Sequence, residues 1–168
     1  VFGNVPLITS FDVPADFKPS TETRSKIYEF VESELKTQGA LLSKEVSSAT
    51  YARMNYYVAQ AMLTQLYLNA SEYKGSAELD KAIAAADEII NSGKYSLESN
   101  YFANFSVNNS GSKENIFVIP YDKVNAQGFN LPMMTLHYSS QETFKFTEQP
   151  WNGYTSLADF YNSFEDND

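Results

Sequence analysis

Trp151, Asn152, Tyr154 and Tyr138 are the residues whose types best suit them to hold a ligand. The flat indole of Trp151 can stack on the apolar face of a pyranose, and the Asn152 amide offers ring hydroxyls both a donor and an acceptor. Tyr154 and Tyr138 would add phenol rings, apolar on the face and polar at the rim. The same side chains could instead pack a loop onto its support, and residue type alone leaves both readings open.

Catalytic chemistry finds less to work with. His137 stands beside Tyr138 without a Ser or Cys elbow or a metal-ligating companion, so it reads as a surface or packing histidine. The absence of cysteine removes thiol catalysis, thiolate zinc sites and a disulfide framework. A glycosidase needs two carboxylates facing each other across a cleft, and nothing in the sequence pairs any two of its acids. Glu29, Glu32, Asp80 and Glu88 fall opposite apolar stripes and read as solvated faces. The closing Ser163-Phe164-Glu165-Asp166-Asn167-Asp168 carries oxygens but lacks the glycine and the twelve-residue spacing of a calcium loop, so it reads as a solvated tail and no metal site is expected. No phosphate loop, dinucleotide fingerprint or zinc motif is present, and no cofactor is expected.

Charge narrows the partners. With 21 acidic and 12 basic side chains the formal net charge is −9, which repels phosphate backbones and anionic lipid surfaces and argues against nucleic acid. The 168 residues, 43% hydrophobic and 15% aromatic, suffice for one ordinary core. The first residues show no basic segment followed by an apolar one, and no run approaches 18 apolar residues. A chain that starts without Met and stops in a polar tail reads as a piece of a longer protein.

The elements that would position these residues follow from periodicity. Pro6, Pro14 and Pro19 mark residues 1–19 as an extended, irregular opening. From Thr21 to Lys36, Ile27, Phe30, Val31 and Leu35 share one face and predict an amphipathic helix. From about Thr50 to Ala70 a second helix is predicted on the stripe Tyr56, Ala59, Leu63, Leu66, Tyr67 and Ala70, thinned by Ala52, Ala59 and Ala61 so that a neighbour can approach closely. A third is predicted from Ala77 to Asn91, with Ser76 as N-cap, Gly93 as stop, and Leu79, Ala82, Ile83, Ala86, Ile89 and Ile90 as its core face. Two such helices joined by a short turn form a tetratricopeptide-like hairpin, which cannot cover both of its apolar faces alone. Beyond Tyr95, Ile116–Ile119 predicts a short β run stopped by Pro120, and Tyr121 onward reads mainly as loop, with helical periodicity only near Leu157–Phe164.

The strings Tyr67-Leu68-Asn69, Tyr73-Lys74-Gly75, Ala82-Ile83-Ala84-Ala85-Ala86 and Ser92-Gly93-Lys94-Tyr95-Ser96-Leu97 resemble, in order and spacing, the central helical region of the SusD/RagB family. Phe2-Gly3-Asn4-Val5-Pro6-Leu7, the helix Ile27–Leu35, Glu114-Asn115-Ile116-Phe117 and the tail from Phe160 are similar to flanking segments of that family. The resemblance implies a mostly α fold of tetratricopeptide-like hairpins in an α-α superhelix, with a loop-rich region and short β segments. It implies one region over 1–168, helical and repeat-like over 1–97, strand- and loop-rich and ligand-facing over 98–168. It further implies a non-enzymatic glycan-binding lipoprotein on the outer membrane of Bacteroidetes, holding oligosaccharide for a SusC-like TonB-dependent transporter and touching the membrane only through a lipid anchor outside this segment. Family members are several times longer than one hairpin, and some of their ligand-contacting aromatics precede the position of Val1. Only the Trp151-Asn152-Gly153 neighbourhood resembles a family binding segment. The alternative left open is a helical-repeat module that binds a peptide or protein and no glycan.

Overall fold

The computed structural model describes residues 3–122 and 124–165. The expectations for Phe2 and for Asp166–Asp168, the end of the acidic tail, lie outside the described residues. Two compact units are present, Val1–Ile119 and Pro120–Asp168. Among the described residues the chain forms seven helices, two brief 3-10 turns and two two-residue strands, a mostly helical architecture as the patterning predicts.

The first unit opens with β1 (Val5–Pro6) and β2 (Thr21–Glu22), paired antiparallel with Val5 opposite Glu22 and Pro6 opposite Thr21. Proline is tolerated there because the ribbon has only edges, where a missing N–H costs no ladder bond. The first helix, α1, therefore begins later than its periodicity suggests, at Arg24–Thr37. Thr21 and Glu22 are extended, and the Thr23 hydroxyl accepts from the Lys26 N–H at 3.3 Å as a side-chain N-cap.

The second helix is shorter than the stretch from Thr50. It runs as α2 (Tyr56–Leu68), because the Asn55 side chain accepts from the Val58 N–H at 3.0 Å and starts the helix there. Ala52, at φ +60°, interrupts any earlier helical path. A one-turn helix, α3 (Ala70–Lys74), follows and ends at Gly75, whose φ of +79° is a left-handed cap that glycine adopts without steric cost.

The third long helix, α4 (Leu79–Ile90), packs back against α2 and completes the hairpin. Ser76 does not cap it. Glu78 holds the N-cap position without a side-chain cap bond, its carboxylate being engaged by Lys74, Lys81 and Tyr28. Gly93 stands at φ +64° just beyond the helix, as the expected stop.

The buried core joins Tyr28 of α1, Leu63 and Tyr67 of α2, Ala70 of α3, and Ala82 and Ala85 of α4, with Leu35, Leu66 and Tyr73 packed on it. Close approach relies on small residues, as the alanines suggested: a Cβ added to Gly39 would stand 2.8 Å from the Ala59 Cβ. The predicted core face of α4 holds in part: Ala82 is buried and Ala86 and Ile89 are half-buried, but its large residues turn outward. Ala82 and Ala85 point inward, whereas Leu79, Ile83 and Ile90 are 53%, 60% and 70% exposed. At 100° per residue these three lie about 60–100° round the helix from Ala82 and about 120–160° from Ala85. Periodicity located the apolar arc, but α2 meets the edge of that arc where small side chains let the backbones approach.

Two acids assigned to solvated faces instead bridge helices. Glu32 accepts from the Tyr67 hydroxyl at 3.0 Å and from Lys81 Nζ at 3.1 Å, and Glu88 accepts from the Tyr56 hydroxyl at 3.0 Å. Residues Ile116–Ile119 form no strand. Ile116 and Val118 are half-buried and Phe117 and Ile119 exposed, the alternation of an extended segment, but no described residues pair with it to make a ladder.

The second unit is less loop-like than expected. It contains the short helices α5 (Leu131–Thr135), α6 (Ser140–Phe144) and α7 (Ala158–Tyr161), the last within the predicted Leu157–Phe164 stretch. Helices of four or five residues are too short for periodicity to detect.

Candidate functional site

In the second unit, α5 starts with Pro132 in its first turn, where the missing N–H costs nothing. Its C-terminal carbonyls have no partner within so short a helix. The chain returning at residues 150–154 supplies them. Pro150 is fully buried, and after it Trp151 N–H donates to the Met133 carbonyl at 2.7 Å, Asn152 N–H to Leu136 at 3.1 Å, and Gly153 and Tyr154 N–H groups both to Met134 at 2.6 and 2.9 Å. Asn152 makes the turn at φ +52°, a left-handed conformation that asparagine tolerates better than most residues.

These bonds fix the backbone while the rings face outward. Trp151, Tyr154 and Tyr138 are each about half exposed, at 49%, 54% and 49%. Asn152 bonds to Leu136, two residues before Tyr138, so the four sequence-predicted residues gather around the end of α5. The Trp151 and Tyr154 rings keep solvent-accessible surface on a backbone bonded to the Met133 and Met134 carbonyls, an arrangement that can accept a flat apolar ligand face without ordering a loop.

His137 is committed locally. Its Nδ1 accepts from the Ser139 N–H at 3.2 Å and lies 2.9 Å from the Ser139 hydroxyl, and its ring packs at 5.4 Å from Tyr138. No described carboxylate orients the other ring nitrogen, the third member that an activated hydroxyl requires. Among the described residues no group of three or more His, Asp or Glu side chains is placed to hold a metal ion. The Asp122 carboxyl is held below its ordinary range by the N–H groups of Asn125 and Val124, which fold a turn around it. This is a structural use of the charge.

Residue type had not identified the supporting shell, namely the free carbonyls of α5 and the buried Pro150. The signals available for it were the Leu131-Pro132 helix start and the Pro150-Trp151-Asn152-Gly153 turn.

No protein-family model matches the chain, and no curated protein matches it. Among solved structures, a SusD-like protein from Bacteroides fragilis superposes with a TM-score of 0.61 at 21% identity over 73% of this chain and 24% of its own. A SusD superfamily protein from Bacteroides thetaiotaomicron is 35% identical over 60% of this chain and 20% of its own, with a TM-score of 0.47. The chain thus has the fold of part of a SusD-like protein and spans about a quarter of the length of the first of these structures.

Proposed function

We propose that this chain, folded as part of a SusD-like protein, holds glycan at a bacterial cell surface without chemically altering it. The observation that carries the reading is the anchored 150–154 segment, whose four backbone hydrogen bonds hold Trp151 and Tyr154 with their rings half exposed, while the half-exposed Tyr138 follows two residues after Leu136, to which Asn152 bonds. Aromatic stacking with a few directed amide contacts binds a sugar ring through its apolar face, and a preformed, partly wet surface gives modest affinity per site. The bound oligosaccharide would pass to a SusC-like TonB-dependent transporter, with a lipid anchor outside this segment holding the protein to the outer membrane. No helix among the described residues is long and apolar enough to cross a membrane.

A glycan array followed by calorimetry tests this. An oligosaccharide should bind the wild-type chain, and Trp151→Ala should weaken it about tenfold or more, a loss of one stacked ring's worth of free energy, with the circular dichroism unchanged. Absence of any saccharide binding, or equal binding by Trp151→Ala, would overturn the assignment.

A second reading is favoured by one specific feature, the exposed stripe of Leu79, Ile83 and Ile90 on α4. A helical hairpin with an uncovered apolar arc suits a module that binds a protein or peptide through helix packing. Under that reading no saccharide binds, and Ile83→Glu abolishes capture of a partner while Trp151→Ala does not.

A further inference from the structure

The first unit contains a cavity of about 430 Å³ between the loop leading into α2 (residues 46–55) and residues 109–118. It is of the size that small-molecule sites occupy. Its walls include Tyr51, Arg53, Tyr95, Ser112, Asn115 and Phe117.

Among the described residues Arg53 is the only charged side chain lining it. In a chain with 21 acids and 12 bases, a guanidinium is readily paired, and the other arginine, Arg24, is engaged at 2.6 Å with the Glu72 carbonyl. Arg53 forms no ion pair and no side-chain hydrogen bond among the described residues. The Asn115 amide is equally uncommitted. The Tyr95 hydroxyl is buried without a well-formed hydrogen bond; the Asn55 side chain interacts with it, and the Tyr57 ring packs edge-on at 5.8 Å.

The surrounding backbone is organised. Ser47 and Thr50 close a turn, with the Ser47 N–H donating to the Thr50 hydroxyl at 3.0 Å and the Thr50 N–H to the Ser47 carbonyl at 3.1 Å. Ala52 follows in a left-handed conformation, and Asn55 then caps α2. On the other side Ser112 bonds to Asn104, which bonds to Glu114.

We propose that this cavity is a second binding site, separate from the aromatic surface of the other unit, and that it takes a sugar acid of the uronic type. The guanidinium fork donates bidentately to a carboxylate, and the Asn115 amide and neighbouring hydroxyls match ligand hydroxyls. The Tyr51 ring and the apolar Ile116–Val118 wall provide surface for the carbon skeleton. Among the described residues no acid lines the cavity to pair with a cationic ligand.

The test is a titration of the isotopically labelled full chain with D-galacturonate and D-glucuronate, followed by amide shifts, with D-galactose and acetate as controls. At least one uronate should bind and shift the amides of Arg53, Ser112 and Asn115. Arg53→Gln should weaken it about tenfold or more, and Arg53→Lys should restore part of the affinity, because an ammonium keeps the charge but not the fork. Trp151→Ala should leave this binding unchanged, which separates it from the glycan reading above. Arg53 is exposed, so Arg53→Gln should melt as the wild type does. The proposal fails if neither uronate binds, if Arg53→Gln binds equally well, if the shifts occur elsewhere, or if galactose or acetate binds as tightly as the uronates.

Discussion

Replacing Glu78 with Gln should remove stability at neutral pH and remove almost none at pH 2. Glu78 stands at the junction of α1, α3 and α4, where Lys81 Nζ lies at 2.8 Å, Lys74 Nζ at 2.9 Å, and the Tyr28 hydroxyl donates to the same carboxylate. Lys81 first, then Tyr28 and Lys74, hold the carboxyl down to about 2 from its ordinary 4.5, against the opposing effect of burial. The partners respond in kind. Lys81 is raised by its bond to Glu78, and the Tyr28 phenol is raised by burial and by the same carboxylate. A depression from 4.5 to about 2 corresponds to at most about 3.5 kcal/mol, since each unit is worth about 1.4 kcal/mol.

Solvent reduces that figure. The Glu78 side chain is only 14% exposed, but Lys81 is 48% and Lys74 26% exposed, so about 1–2 kcal/mol is expected. The sign follows from the depressed value: the folded state prefers the ionised carboxylate, so the stabilisation is complete above about pH 4.5 and disappears as pH falls towards 2. Urea unfolding of the wild type and Glu78→Gln, followed by circular dichroism at several pH values from 7 down to 2, isolates this group because other acids titrate alike in both. The difference should be about 1–2 kcal/mol at pH 7 and shrink towards zero at the acid end. A difference that stays constant across the range would refute the reasoning, since it would then come from packing and not from the charge.

Gly39→Ala should destabilise by about 1–3 kcal/mol, the usual range for forcing extra volume into a packed contact, because its new Cβ would meet Ala59 at 2.8 Å; Ala59→Gly in the same chain should recover part of the loss in a thermal melt. Asn55→Ala removes the N-cap of α2 and should cost about 1 kcal/mol by urea unfolding, while Asn55→Asp, which keeps the accepting oxygen, should cost less. Ala52→Gly should stabilise or leave stability unchanged, since glycine occupies a φ of +60° without the penalty alanine carries, and a lower melting temperature would contradict the assigned backbone conformation.

Much of the helical unit was readable because its cause is local. Apolar spacing located α1, α2 and α4, and Gly93 marked the end of α4 for steric reasons that need no partner. Helix starts were read less well. Thr23 and Asn55 are ordinary capping residues, but periodicity extended each helix backwards past them, over Thr21–Glu22, which pair as a strand, and over Ala52, which turns left-handed. The exposure of Leu79, Ile83 and Ile90, with burial of the predicted Ala82 and the unpredicted Ala85 instead, has a different origin. Both sets lie on one apolar arc, and which side of it meets α2 depends on the crossing of two helices, to which hydrophobicity is blind.

The candidate residues divide the same way. An indole, an amide and two phenols announce stacking and hydrogen bonding wherever they occur, so Trp151, Asn152, Tyr154 and Tyr138 could be singled out by chemistry. Their gathering could not, because it depends on the carbonyls left free at the end of a five-residue helix and on N–H groups arriving from some twenty residues further along. Arg53 went unnoticed for a related reason: an isolated arginine carries no pattern, and its solitary place on a cavity wall arises only when residues 46–55 and 109–118 are brought together. Residue type and spacing are properties of the chain's local chemistry, and they determined the helices, their glycine stop and the candidate ligand groups. Juxtaposition, burial and the choice of ionic partner are properties of distance in three dimensions, and folding alone determined them.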